Sequence, residues 1–328
     1  MLGILFSLAA ALSFSGSDVS VRRGTRFGSG SQAAFVTVMV GVPLFLVACL
    51  ATGQLFHFDR IGTKGYAFLI AAGLIHYFIG RVFNYGAIRI IGATRNAPFQ
   101  AMNLPYSIAV AWIFLGEGVS AGMMVGIALI MAGPLLLVER GGAASTVVSK
   151  SETPATDQPP LSPSTQAAVP AVAIPAAKTS ELRLAEGYAL AVAGAACYGS
   201  SPVLIRAALE HTSGVSIFGG LVSYLAAATA LLVLLVLPSR RELVRSMHPN
   251  ALKAFTVGGV SVFFAQMFRF VALSLAPVAI VATLIRFSSV FTLGLSWLIN
   301  RDLERINQRV ILGILISVTG AVLLVVAS

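Results

Sequence analysis

The chain has 328 residues, 57% of them hydrophobic and only 10% charged, with a net charge of +10. Soluble domains carry about 25% charged and roughly 45–50% apolar residues. This chain therefore lacks the polar surface of a water-soluble enzyme, and it is equally unlike a disordered or a disulfide-rich secreted protein. What remains is an all-α, polytopic membrane protein. The two cysteines, Cys49 and Cys197, lie inside apolar segments and offer neither a metal-binding spacing nor a disulfide framework.

A hydrocarbon core of about 30 Å takes about 20 apolar residues per helix. In chain order the sequence predicts ten spans, at 2–21, 32–53, 66–88, 93–115, 119–138, 186–206, 213–237, 251–274, 277–299 and 308–327. The first is a span rather than a signal peptide, because Met1 leads straight into LGILFSLAAALSF with no basic start. Between the fifth and sixth spans, residues 139–183 include SETPATDQPPLSPSTQAAVPAVAIPAAK, which holds six of the 14 prolines and no aromatic residue. That composition predicts a disordered linker. The expected organisation is a five-helix unit at 1–138, the linker at 139–183 and a second five-helix unit at 184–328.

Basic residues separate by loop. One face collects sixteen: Arg22, Arg23, Arg26, Arg89, Arg95, Arg140, Lys150, Lys178, Arg183, Arg240, Arg241, Arg245, Lys253, Arg301, Arg305 and Arg309. The other collects Arg60, Lys64 and Arg206, and the remaining three, Arg81, Arg269 and Arg286, fall inside spans. The positive-inside rule then places both termini outside and the linker in the cytoplasm. The positive charge thus reports membrane orientation, and no nucleic-acid partner is expected.

The two halves repeat one another. Trp112 aligns with Trp297, Glu117 with Glu304, Gly126 with Gly313, and Gly133 with Gly320; earlier, Gly3 aligns with Gly187 and Arg22 with Arg206. Five spans are an odd number, so the second unit enters the membrane with opposite polarity. An inverted duplication of this kind is typical of secondary transporters working by alternating access. With Asn103-Leu104-Pro105-Tyr106 in the fourth span, Leu115-Gly116-Glu117 after it and a glycine pair seven residues apart in the fifth, the chain resembles the EamA-type branch of the drug/metabolite transporter superfamily. The second half departs from that pattern, with Val290 in place of the proline and Asn-Arg-Asp-Leu-Glu in place of Leu-Gly-Glu. The resemblance implies a multi-pass protein of the cell (inner) membrane that moves a small organic metabolite, with export the commoner direction. It also implies cytoplasmic termini, against the charge count, which is the orientation adopted here.

No phosphate-binding GxxxxGK[ST] loop, HExxH helix or GxSxG turn occurs, so an enzyme is not expected, nor a cofactor or metal. The partners expected are a small-molecule substrate and the bilayer, with the chain acting as monomer or homodimer. In the fourth span, Asn96, Gln100, Asn103 and Ser107 recur at helical spacing along one face. Polar groups at membrane depth face a cavity or another helix, so this face either binds substrate or ties helices together. Its repeat counterpart in the ninth span, Val281, Ile285, Ser288 and Thr292, is less polar. Tyr77, Arg81, Asn84 and Tyr85 share a face of the third span, where Arg81 either snorkels to the surface or binds. Arg286 lies near the centre of the ninth span, where snorkelling is difficult, and the only clear carboxylate within a span is Asp18. An arginine lacking a carboxylate points to an anionic or zwitterionic substrate.

The expected binding set is Arg286, Asn103, Gln100, Arg81, Asn84, Tyr77, Tyr198 and Ser288, with Asp18 the candidate for ion coupling; Arg269 either shares the binding role or sits at an interface. Gly118, Gly122, Gly126, Gly133, Gly313 and Gly320 are expected to let the fifth and tenth spans pack closely, and Pro105 to kink the fourth beside Asn103. The alternative to transport is a membrane scaffold or sensor, which predicts a dry, packed interface between the halves in place of a polar cavity.

Overall fold

The computed structural model describes residues 1–91, 96, 99–100, 102–137, 176–212, 214–237, 241, 244–288, 290–291, 294–295 and 308–327. Among them every regular element is helical: α1 (Leu2–Gly24), α2 (Gly30–Ala51), α3 (Thr63–Gly73), α4 (Gly80–Ile91), α5 (Asn103–Leu115), α6 (Ala121–Leu137), α7 (Ala176–Leu209), α8 (Ser216–Leu234), α9 (Pro249–Leu275), α10 (Val278–Ile285) and α11 (Gln308–Val326). Among the described residues, six apolar stretches are long enough to cross a bilayer: Leu2–Val21, Gly30–Ala51, Thr63–Asn84, Leu184–Leu209, Ser216–Leu234 and Pro249–Leu275. Asn103–Leu115 and Ala121–Ala132 are shorter apolar helices. The protein is therefore a multi-pass, all-helical membrane protein.

Local chemistry sets the helix ends. Ser29 Oγ accepts from the Gln32 amide while Gln32 Oε1 accepts from the Ser29 amide, a reciprocal cap that starts α2. Pro249 occupies the first turn of α9, where no amide donor is needed, and His248 Nδ1 accepts from the Asn250 amide. α7 begins at Ala176, within the expected linker, because the proline run ends at Pro175 and Ala, Leu, Lys and Glu, all good helix formers, come after it. Residues 139–175 lie outside the described set.

Two spans are interrupted where unbroken helices were expected. The fourth breaks at Met102, whose amide bonds Phe99 O in a tight three-residue turn. α5 then starts afresh at Asn103, so Pro105 sits in a first turn instead of kinking a helix interior. The ninth breaks after Ile285, where the amides of Arg286 and Phe287 bond Thr283 O and Leu284 O. At the offset that aligns Trp112 with Trp297, Met102 falls opposite Phe287, so the two breaks are repeat-related. The third span is continuous but carries a π-helical turn, Leu74–Ile79, between α3 and α4.

The halves interleave. α1 packs along α9 and α10, and α7 packs along α3, α4 and α5; α2 meets α8, α6 meets α11, and α5 meets α10. Exchanging each span with its repeat partner turns this contact set into itself. The core between α2, α8 and α9 is aromatic, with Phe45 4.8 Å from Tyr224 and 4.9 Å from Phe263, ring centre to ring centre.

Glycine makes the α6–α11 crossing. A β-carbon on Gly126 would stand 2.8 Å from the Leu324 amide nitrogen and 2.9 Å from Gly320 O, and one on Gly320 would stand 2.8 Å from the Ile130 amide nitrogen. Gly122 abuts Ala327 in the same seam. Gly118, expected in this set, lies in the loop before α6 with open space around it, because the helix starts later than its glycine spacing suggested. The neighbours of Gly133 and Gly313 lie outside the described residues. Gly126→Val should destabilise the protein by about 1–3 kcal/mol, read as a lowered melting temperature in detergent. An unchanged melt would disprove close packing at this crossing.

Candidate functional site

Between the halves lies a cavity of ≈ 490 Å³, within the range of roughly 300–1,000 Å³ usual for small-molecule sites. The polar face of the fourth span contributes Gln100, Asn103 and Ser107. The π turn contributes His76, α4 Arg81, and α7 Tyr198. From the other side come Gln266 and Arg269 of α9, with Arg286 and Ser288 at the break after α10. Ser17 and Asp18 of α1 and Thr37 of α2 complete the wall. Asp18 is exposed and stands near the C-terminal end of α1, one turn before Arg22 in the sequence.

The cavity is cationic. Arg286 donates to Asn103 Oδ1, which joins the two broken spans side chain to side chain. Arg269, 5% exposed, donates to Gln266 Oε1 at 3.2 Å. Arg81 donates to Ala34 O at 2.9 Å and Thr37 Oγ1 at 3.3 Å, so it turns inward to α2 instead of snorkelling to the surface. Every one of these acceptors is neutral, and among the described residues none of the three arginines has a carboxylate within ion-pair distance. Gln100 Nε2, Ser107 Oγ and His76 Nδ1 are buried beside the cavity without a hydrogen-bond partner among the described residues. The Ser288 carbonyl, freed by the break, accepts from Ser15 Oγ at 2.8 Å.

Two residues of the expected set do not line the cavity. Tyr77 is 1% exposed and packs its ring 4.6 Å from that of Tyr224, behind His76. Arg81 keeps its guanidinium over the Tyr77 ring, 5.8 Å from the ring centre, so Tyr77 meets the site through Arg81. Asn84 faces α7 close to Gly194, and its Oδ1 accepts from Asn96 Nδ2 at 2.6 Å. Asn96 thus ties helices together, the second of the two uses open to that polar face.

A family model described as the EamA-like transporter family matches residues 1–139 and 185–326. The chain belongs to the EamA-like transporter family. It is accordingly a membrane transporter of the drug/metabolite transporter superfamily. A solved structure titled only as the crystal structure of a protein is 17% identical, with a TM-score of 0.67 over 98% of this chain and 95% of that one. At that identity the likeness shows the fold alone. No curated protein matches.

The Leu-Gly-Glu motif of this EamA-like transporter now has a physical role. Gly116 ends α5 in the left-handed region, at φ 67°, which glycine adopts without strain. The turn delivers Glu117 across to the other half. There Glu117 Oε2 accepts from the Val278 amide at 2.7 Å, capping α10, and Oε1 accepts from Arg206 Nε at 3.3 Å. Arg206 also bonds Leu273 O and pairs with Glu210 at 2.9 Å. Burial pushes the Glu117 carboxyl above its ordinary range, and the Val278 amide and Arg206 oppose that rise. This cluster lies at the C-terminal end of α9, away from Gly24, which abuts Phe255 near the start of that helix.

Sequence reasoning missed His76, Gln266 and Thr37 as wall residues and left Arg269 between two roles. Gln266 and Arg269 sit three residues apart in an apolar helix, so the rule that singled out the fourth span was available for them. No local signal marks His76, because its place depends on the π turn.

Proposed function

We propose that this EamA-like protein is a secondary transporter, in the cell (inner) membrane, of a small anionic or zwitterionic organic metabolite. Three guanidinium groups around one cavity, each held among the described residues by neutral acceptors alone, carry this reading: a cation at membrane depth needs a counter-charge, and a carboxylate-bearing substrate supplies it. Arg286, Asn103, Gln100, Arg81, Tyr198 and Ser288 bind, and Asp18 is the ion-coupling candidate. The cavity is what separates transport from a scaffold, whose interface would be dry.

Alternating access proceeds by rocking one five-helix repeat against the other, in a protein of ten spans acting as monomer or homodimer in the bilayer. The Glu117–Arg206 contacts favour a state closed on their own face. The exposure of Asp18 near the C-terminal end of α1 supports an opening on the arginine-rich face. With sixteen of the 22 basic residues on that face, both termini lie outside, the linker lies in the cytoplasm and the cavity faces inward, as an exporter loading substrate requires. A thermal-shift screen of purified protein against amino acids, organic acids, nucleosides and organic cations tests the reading. Carboxylates should raise the melting temperature most, and organic cations doing better than acids would overturn it.

A further inference from the structure

We infer, resting on that reading, that the cavity holds a second subsite, for an uncharged hydrogen-bonding group, and that the cargo is a short hydroxy acid: its carboxylate meets the arginines and its hydroxyl meets Ser107. Among the described residues, six buried polar side-chain atoms have no hydrogen-bond partner. Three of them, Ser107 Oγ, Gln100 Nε2 and His76 Nδ1, belong to residues of the cavity wall. A buried polar atom left unpaired opposes folding, so three in one wall point to a ligand as the missing partner.

Ser107 is the clearest of the three, at 1% exposed. Ser7, Ser15 and Thr283 are as deeply buried in their own helices, and each bonds back to the carbonyl four residues earlier: Gly3 O at 2.7 Å, Ala11 O at 3.0 Å and Ala279 O at 2.6 Å. Ser107 makes no such bond, which leaves its hydroxyl to a ligand. The helix that carries it is fixed against α7. Tyr106 and Ser200 share a hydrogen bond of 3.2 Å between their hydroxyls, and a β-carbon on Gly199 would stand 2.7 Å from Asn103 O. Ser107 is therefore held in place before cargo arrives, as a recognition group should be.

Spacing sets the length of the cargo. Asn103, which holds Arg286, and Ser107 share a face of α5 one turn apart, about 6 Å along the axis. A four-carbon chain with its carboxylate at Arg286 brings an end group to Ser107. Chemistry sets the end group. Gln100 Nε2 only donates, Ser107 Oγ donates and accepts, and His76 Nδ1 does either according to its tautomer. A hydroxyl answers both needs. An ammonium cannot accept and would enter a cavity that already holds three guanidinium groups, and a methyl answers nothing.

The test is calorimetric titration of the full-length protein in lipid nanodiscs with valerate, γ-hydroxybutyrate and γ-aminobutyrate, which carry a methyl, a hydroxyl or an ammonium group on the same carbon. γ-Hydroxybutyrate should bind about tenfold more tightly than valerate, and γ-aminobutyrate no better than valerate. Ser107→Ala should remove most of that advantage. The unliganded Ser107→Ala protein should also melt no lower than the native one, because the hydroxyl it loses has no partner in the fold.

Equal binding of valerate and γ-hydroxybutyrate by the native protein, or an advantage that survives whole in Ser107→Ala, overturns the hydroxyl subsite and leaves the anion-transport reading standing. A lower melting temperature for Ser107→Ala means that the fold itself uses the hydroxyl, and overturns the subsite as well. Tightest binding by γ-aminobutyrate replaces the hydroxy acid with a zwitterion. Failure of all three acids to bind overturns both readings.

Discussion

Arg286→Gln should weaken substrate binding by roughly 10–100-fold and cut transport in proportion, because a charge-assisted hydrogen bond is worth about 1.5–3 kcal/mol. Arg286 stands at the break after α10 and bonds Asn103 at the restart of the fourth span, so one side chain ties both interrupted helices to the cavity. Glutamine retains an amide that can still reach Asn103 but removes the charge. The unliganded variant should melt no lower than the native protein, since the lost cation has no carboxylate partner among the described residues and its desolvation opposes folding. Lysine should restore part of the binding, as a point charge without the planar fork of the guanidinium. Proteoliposome transport together with melting curves checks this, and full transport by Arg286→Gln would refute the anion site.

Arg206→Met should destabilise the protein by about 3 kcal/mol, the scale expected when one member of a buried ion pair is removed. The Arg206 and Glu117 side chains are only 12% and 9% exposed, so Glu117 would be left in a poorly hydrated position beside the start of α10. The double variant Glu117→Gln/Arg206→Met should recover part of the loss, with a coupling energy of about 0.5–3 kcal/mol in the double-mutant cycle. Because the pair joins the loop after α5 to α7 and α10, its loss should also raise solvent access at Ala276, measured as faster labelling of a cysteine placed there. A melt and a labelling rate both unchanged would show that these contacts do not hold that face closed.

The polar face of the fourth span was legible because helical spacing is local: Gln100, Asn103 and Ser107 fall together in any regular helix, and all three reach the cavity. Arg286 was legible because a charge in so apolar a segment is conspicuous. The break beside it was not, since neither proline nor glycine stands at Ile285, Arg286 or Phe287 to announce it. In the third span regular spacing did bring Tyr77 beside Arg81, with the guanidinium 5.8 Å from the ring centre, but it could not show that Tyr224 packs the ring away from the cavity. Gly118 was misassigned to packing for the related reason that glycine spacing does not say where a helix begins.

By itself the sequence determined that this protein lives in a bilayer, that its halves repeat, which family its motifs resemble and that three arginines stand in spans where carboxylates are scarce. Those properties come from composition, periodicity, count and short motifs. The tertiary structure decided which arginines share a cavity, that Glu117 reaches Arg206 and α10, and that Tyr77 and Asn84 support helices without lining the site. Such pairings join residues far apart in the chain, and no local spacing encodes them: they depend on how each helix is broken, rotated and crossed with its neighbours.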